Sequence, residues 1–438
     1  MFAKSSRIAA AAAVAVVAAS CASYPERTHR AVADFQRGQL TRALDAFEDP
    51  KTTQSAFLAG AEAGMVALVA GDWDRAIKNW TSAVNEVQET ERSALVSPES
   101  LGETLVSWTI SESATKYQGE GYERVLVHAG LAIAYFAKGD LEGARVEVRQ
   151  SNALLESEEK LYEKEYKAGG LGHFLSAVSY ELDGKPDEAW IDYDRMRQKG
   201  VGIELAGRAL ARIAKKTNRE DELGADFETY SDADATPDAA SVVVIAGVGL
   251  APYKSATTLP IPTPSGMLQW SVPSFVARPQ PVESLELSVT GGDKCVRTVV
   301  IEDVGRVAKE NLDDRLAWLI AKGTVRTFLK RELTRELEKE TGVIGRIAGD
   351  VFQFVTERAD LRSWVTLPDS WQASRVFLPA GRNDYHLKAV GGEEVDLGTF
   401  ELTAGETMFV LARTVDTKLY AYPVGGRRIA PDAAPVTP

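Results

Sequence analysis

The sequence predicts an α+β protein: an N-terminal array of repeated helix pairs, then a mixed α/β region ending in a small β-sandwich-like module. Three observations carry this expectation. A spacing of Gly, Ala and a bulky residue recurs four times in the first half. After residue 240 the helical periodicity gives way to β-branched runs. Short alternating segments separated by Gly-containing turns then crowd residues 374–415.

The chain opens on a segment built for cleavage. Lys4 and Arg7 precede an uncharged run, Ile8 to Ala19, that is too short for the roughly 20 residues a membrane-spanning helix needs. The run ends in Ala18-Ala19-Ser20-Cys21, which resembles the lipobox of bacterial lipoproteins, with Ala18 where that motif usually has Leu. The resemblance implies a signal peptide over 1–20, cleavage before Cys21, and acylation of Cys21, palmitate included, as the lipid attachment. Ala22, rather than Asp, follows the cysteine; by analogy with enterobacterial sorting this implies the outer membrane, the protein facing the periplasm.

Residues 21–214 read as helical. The triplets are Gly38, Ala43, Phe47; Gly71, Ala76, Trp80; Gly139, Ala144, Val148; and Gly184, Ala189, Tyr193. Seven residues before each Gly stands a small residue: Ala31, Gly64, Ala132 and Ala177. Small residues on facing helices permit close approach, the bulky residue fills the next gap, and Gly permits the turn. Asp72 and Asp140 stand where they cap the second helix, and Pro186 falls in a first turn that tolerates it. The pattern resembles the tetratricopeptide repeat, a helix-turn-helix unit of about 34 residues. The slot around residue 105 carries no such Gly and Ala pair and reads as a broken unit. In such repeats the first helices line a concave groove, which makes Met65, Leu68, Ile133, Phe136, Phe174 and Val178 the candidate partner-binding residues. Each is apolar and equally suited to a plain core.

Residues 215–240 are acidic and polar and read as a linker. SVVVIAGVGL (241–250) reads as a strand opening a mixed α/β domain, 241–365. The proline-rich 251–282 reads as extended chain and loop, LELSVT and CVRTVVIED as strands, and 304–340 as an amphipathic helix with Leu312, Leu316, Leu319 and Ile320 on one face. GVIGRIAGDVFQFVTERAD (342–360) continues as a more apolar helix, read as core. The turns in 366–425 resemble a PEGA-type β-sandwich module; 426–438 reads as a flexible tail.

The chain carries 50 basic and 63 acidic residues, a net charge of −13, which argues against nucleic acid as a partner. It has two cysteines. With Cys21 lipidated, Cys295 has no partner for a disulfide and reads as a buried strand residue. His128 and His173 hold one slot in successive units, four before Ala132 and Ala177, and read as core histidines. No metal-ligand spacing is present. Gly247 and Gly249 follow a strand, but Pro252 stands where a dinucleotide site needs its third glycine. There is no nucleophile elbow and no phosphate-cradling loop. The expectation is therefore no catalytic residue, no metal and no cofactor.

Four phrases resemble a family of repeat-bearing bacterial lipoproteins: YERVLVHAGLAIAYFAKGDLEGARVEVRQ (122–150), SYELDGKPDEAWIDYDRM (179–196), VIAGVGLAPYK with LPIP after it (244–262), and TERADLRSWVTLPDSWQASRVFLPAG (356–381). The family has no assigned catalytic activity, and its members can be encoded near activators of peptidoglycan synthases. The resemblance implies a lipid-anchored scaffold for an envelope protein partner, in peptidoglycan synthesis or outer-membrane assembly. The alternative is an envelope enzyme or binding protein acting on cell-wall glycan or peptide.

Overall fold

The structure, a computed structural model, describes residues 22–95, 116–263, 266–290, 294–321 and 359–429. The expected signal peptide, Cys21, most of the slot around residue 105, the stretch 322–358 expected to be helical, and residues 430–438 of the expected tail lie outside these residues; the start of that tail is ordered instead, since Arg427–Arg428 pairs with Glu401 and Phe400.

Helices come first: α1 (Tyr24–Gln36), α2 (Leu40–Glu48), the single turn α3 (Pro50–Thr53), α4 (Ala56–Val69), α5 (Trp73–Leu95), α6 (Gly121–Ala137), α7 (Leu141–Tyr162), α8 (Gly170–Leu182), α9 (Pro186–Lys199) and α10 (Ile203–Thr217). The pairs α1/α2, α4/α5, α6/α7 and α8/α9 are joined by tight turns. Each turn holds its expected glycine at positive φ: Gly38 +76°, Gly71 +73°, Gly139 +75° and Gly184 +69°. The alanines and bulky residues of the four triplets are all buried. A Cβ on Gly64 would overlap the Trp80 indole, so this position must be small. The carboxylates of Asp72 and Asp140 accept the N–H of Arg75 (3.0 Å) and Gly143 (2.9 Å), as capping requires. Each pair packs on the next along the chain.

The acidic stretch after α10 is a linker only in part. Helix α11 (Ala225–Tyr230) folds back on α10, with Leu223 buried and the Tyr230 ring over Gly207. Leu223, Phe227 and Tyr230 form a short helical apolar stripe hidden among acids.

Among the described residues strands follow: β1 (Ala240–Val248), β2 (Tyr253–Thr263), β3 (Gly266–Val276), β4 (Leu285–Thr290), β5 (Lys294–Arg297), β6 (Val299–Asp303), then α12 (Val304–Ala321), then β7 (Ser370–Leu378), β8 (Gly381–Ala389), β9 (Glu394–Leu402), β10 (Thr407–Val415), β11 (Lys418–Val424) and β12 (Arg427–Arg428). One sheet runs β11-β10-β1-β7-β6 and a second β12-β9-β8-β4-β5. Strand β1 is buried at every position because both its faces are covered. Val243 and Ile245 join the core shared with the helices; Val242, Val244 and Ala246 join the core between the sheets. The result is three layers: helices, sheet, sheet.

This arrangement corrects four expectations. The boundary at 365/366 does not separate domains, because β1 lies between β10, paired parallel, and β7, paired antiparallel, while β4 pairs with β8. Each sheet needs strands from both sides of that boundary. The proline-rich stretch is also no loop: β2 and β3 form a two-stranded ribbon of eleven registered pairs, Tyr253↔Val276 through Thr263↔Gly266. The run CVRTVVIED is two strands in different sheets, turned at Thr298. The Thr298 hydroxyl accepts the Leu285 N–H (2.9 Å) and donates to Gln372 Oε1 (2.7 Å). Cys295 is exposed on β5, not buried, since it lies on the outer face of the second sheet while its neighbour Val296 turns to the core. In α12, Leu312 is buried as expected; Leu319 and Ile320 lie outside the described side chains.

Candidate functional site at a junction of buried carboxylates

Between α12 and β7 the chain returns through the core. Residues 362–368 are buried yet form no helix or strand. A buried irregular segment must find partners for its backbone amides. Two glutamates on first helices supply them. Glu62 of α4 accepts the N–H groups of Val365 (2.8 Å) and Thr366 (3.0 Å) and the Tyr24 hydroxyl of α1 (2.7 Å). Glu123 of α6 accepts the Trp364 N–H (2.7 Å) and the Tyr117 hydroxyl (2.7 Å). The Trp364 ring meets Trp80 edge to face, centroids 6.4 Å apart. Arg278 Nη1 donates to the Val365 carbonyl (2.8 Å), and Arg362 pairs with Asp360 (2.7 Å) and lies over Tyr117.

Electrostatics separate these groups. Burial raises Glu62 to about 7, against the donors that favour its anion. Burial and the nearby Glu120 charge raise Glu123. Glu120, the N-cap of α6, is also buried, but Arg315 of α12 and Lys254 of β2 both bond it and hold it down at about 2. One carboxylate thus ties the ribbon's root and α12 to the helix array. Glu302 of β6 accepts the Leu171 N–H at the start of α8 (3.4 Å), and burial raises it to about 7. Glu181 of α8 stays low despite burial because Arg375 of β7 and Arg212 of α10 (2.5 Å) flank it. Arg413 of β10 is a buried guanidinium that donates to carbonyls, Gly249 at 2.6 Å and Thr366 at 3.1 Å among them; burial and Arg278 lower it to about 9.

The six candidate groove residues lie in this same region. Met65, Leu68, Ile133, Phe136, Phe174 and Val178 are all buried, in one core with Val243, Ile245, Phe409 and Leu411 of the first sheet. Phe136 packs on Phe409 (5.5 Å) and Phe174 on Tyr193 (6.5 Å). The chain's own sheet covers the face that the repeats leave apolar. Cys21 lies outside the described residues.

Sequence reasoning missed the glutamates. Their signal was present: Glu62 is a lone charge in the apolar run AFLAGAEAGMVALV, and Glu120 and Glu123 have capping-box spacing. The histidines pair across each helix hairpin, His128 Nδ1 with Glu147 (2.6 Å) and His173 Nδ1 with Asp192 (2.8 Å). An open groove of about 330 Å³ beside the first pair is lined by Val87, Glu91, Arg124, His128, Glu147 and Leu154. Across the outer face of the second sheet the register places Cys295, Ser288, His386 and Asp396 in one row. Its His386–Asp396 approach is 3.8 Å, beyond hydrogen-bond length, on an open flat face. Among the described residues no three His, Cys, Asp or Glu side chains group to hold a metal, and no helix is long and apolar enough to cross a membrane.

No family model matches the chain, and no curated protein matches it. Among solved structures it is similar to a tetratricopeptide repeat protein from Parabacteroides merdae ATCC 43184, with 11% identity and a TM-score of 0.28. The match covers 48% of this chain and 66% of that one, just under two thirds of its length. A TM-score of that size does not establish a shared fold.

Proposed function

We propose that this chain is a lipid-anchored envelope protein that holds a protein partner and catalyses no reaction of its own. What supports this reading is how the buried ionisable groups are used. Glu62, Glu120, Glu123, Glu181 and Glu302 all bind amides, hydroxyls or cations of their own chain. An active site instead keeps such a group facing open space where a substrate can enter. The junction is a fastener that makes the helix pairs and the two sheets one body.

The anchor is Cys21, in the outer membrane, with the protein in the periplasm; α1 starts at Tyr24, so the first helix pair stands close to the lipid. The partner belongs to peptidoglycan synthesis or outer-membrane assembly. Because sheet residues cover the inner face, the partner meets the outer faces of the second helices. There Val146 and Ile191, each seven residues after its turn glycine, are 44% and 60% exposed, and Val146 borders the groove beside His128.

The test is capture of the full-length protein from cross-linked envelopes, with Cys21→Ser as the unanchored control and Val146→Asp/Ile191→Asp as the surface variant. Specific recovery of a wall synthase or assembly complex, lost in the surface variant without a lower melting temperature, supports the reading. Recovery of abundant porins alone, or release of fragments from purified peptidoglycan by the protein, overturns it.

A further inference from the structure

The helix pairs repeat the same positions after each turn glycine, so the grooves between successive second helices compare residue by residue. Between α7 and α9 the helices are tied together. Glu159, twenty residues after Gly139, takes Lys199, fifteen after Gly184, at 2.5 Å. Asn152, thirteen after Gly139, lies 3.5 Å from His173 of α8. Between α5 and α7 the same positions read differently. Glu91, twenty after Gly71, matches Glu159, but Leu154 stands where Lys199 does. No cation reaches Glu91 from α7, and it pairs instead with Arg124 of α6 (2.6 Å). Val84 stands where Asn152 does, and a valine offers the imidazole of His128 no bond. The groove between α5 and α7 is open, about 330 Å³ in volume, with Val84, Val127 and Leu154 in its lining and Val146, 44% exposed, at its border.

Charge and size decide what fits there. The polar pairs in the lining, Glu91–Arg124 and His128–Glu147, close on the protein's own groups. Gln88 of α5 and Gln150 of α7 are exposed on opposite walls, at the positions that carry Glu156 and Arg195 in the tied interval. An ion entering this groove would lose water and find each counter-charge already taken, so the complementary occupant is uncharged. One turn of α-helix, about 10 Å across and about 5.4 Å high, fills about 420 Å³ and exceeds the groove. The lining from Val84 to Glu91, and from Val146 to Leu154, runs about 10–12 Å, the length of three to four extended residues. An extended segment also brings backbone amides that need partners, and glutamines on both walls supply donors and acceptors for them.

We infer that the groove between α5 and α7 binds an uncharged, extended segment of the protein partner. One apolar side chain of that segment enters among Val84, Val127 and Leu154, and its backbone bonds Gln88 and Gln150. This rests on the scaffold reading and names the part of the partner that is held.

The chain from residue 22 onward, which holds every described element, is immobilised and panned with a phage-displayed library of random linear heptapeptides. The enriched sequence is synthesised and titrated by fluorescence anisotropy. Two variants rebuild the tied interval: Leu154→Lys offers Glu91 the cation that Lys199 offers Glu159, and Val84→Asn supplies the counterpart of Asn152. The expected sequence has an apolar residue among uncharged neighbours. It should bind Leu154→Lys at least tenfold more weakly at an unchanged melting temperature, with Val84→Asn repeating the test should Leu154→Lys melt early. Gln88→Ala/Gln150→Ala should weaken it about tenfold through two lost hydrogen bonds, and Ile191→Asp, on α9, should bind it like the parent. Three outcomes overturn the inference: no enriched sequence, whether the groove stays empty or the chain's own residues 96–115 fill it; an enriched sequence whose binding needs a charged residue; or unchanged binding to both rebuilt variants. Envelope capture separates this from the scaffold reading: a partner lost from Val146→Asp/Ile191→Asp but kept by Leu154→Lys overturns the inference and leaves that reading standing.

Discussion

Replacing Glu62 by Gln changes how stability depends on pH more than it changes stability at any one pH. In the folded protein Glu62 is raised by burial from 4.5 to about 7. Between those values the folded state holds a proton that the unfolded chain has released. The contribution is fully present below about 4.5 and is lost as pH rises through about 7. Passing from about pH 8 to about pH 5 should therefore add about 2.5 kcal/mol from this group. Glu302, also raised to about 7, adds a similar gain. Glu120 and Glu181 are held low by cations and lose their contribution only at lower pH, outside this window. Gln cannot titrate, so the variant should lose the Glu62 share and keep those of Glu302 and of Glu123, which burial also raises. It also turns an amide N–H toward Val365 or Thr366, an offset of about 1–3 kcal/mol at every pH. In a chain of this length the missing gain corresponds to about 3 °C in melting temperature. The assay is thermal unfolding of both proteins across that window. Parallel profiles, displaced by a constant, would show that the three donors around Glu62 keep it ionised throughout and would refute the reasoning.

Other expectations follow from the same geometry. Glu120→Gln leaves Lys254 and Arg315 buried with a neutral partner and should cost about 3–5 kcal/mol; Glu120→Gln with Lys254→Met should recover part of it in urea unfolding, and equal midpoints would sink this view of the junction. Gly139 and Gly64 make a contrasting pair. Gly139→Ala meets open space at φ +75° and should cost about 1 kcal/mol of backbone strain, whereas Gly64→Ala meets the Trp80 ring at an ordinary helical position and should cost about 1–3 kcal/mol of overpacking. A smaller loss at Gly64 would mean that the helix pair is looser than described. Trp364→Ala should cost about 3–5 kcal/mol and open residues 359–369 to limited proteolysis; unchanged cleavage would argue that the segment is held by its amide bonds alone.

Legibility followed the range of the forces involved. The four turn glycines were readable because a positive φ between two helices is a demand that one residue meets locally, and the alanine and bulky residue sit within two helical turns of it. Strand β1 was readable as a strand from its β-branched run. Its neighbours were not, because Val243 pairs with Phe409 on one side and Arg375 on the other, and no local pattern encodes such partners. The 365/366 boundary failed for that reason. The buried glutamates were visible as oddities, one charge in an apolar helix and an acidic capping pair, but their partners, an irregular segment for Glu62 and Glu123 and the cations Lys254 and Arg315 for Glu120, are far away in the sequence. The ribbon was misread because prolines usually mark loops; spaced on one alternating set, they fit a ladder that needs no amide from them.

By itself the sequence determined the repeated helix pairs, the turns and caps between them, and the change to strands after residue 240, since each depends on residues a few positions apart. Tertiary structure decided where the apolar faces go. An apolar helix face carries no address: Phe136 and Phe174 would suit a partner's surface or a core equally, and only the return of the chain as a sheet, covering them with Phe409 and Leu411, made them interior and moved the available surface to the far side of the helices.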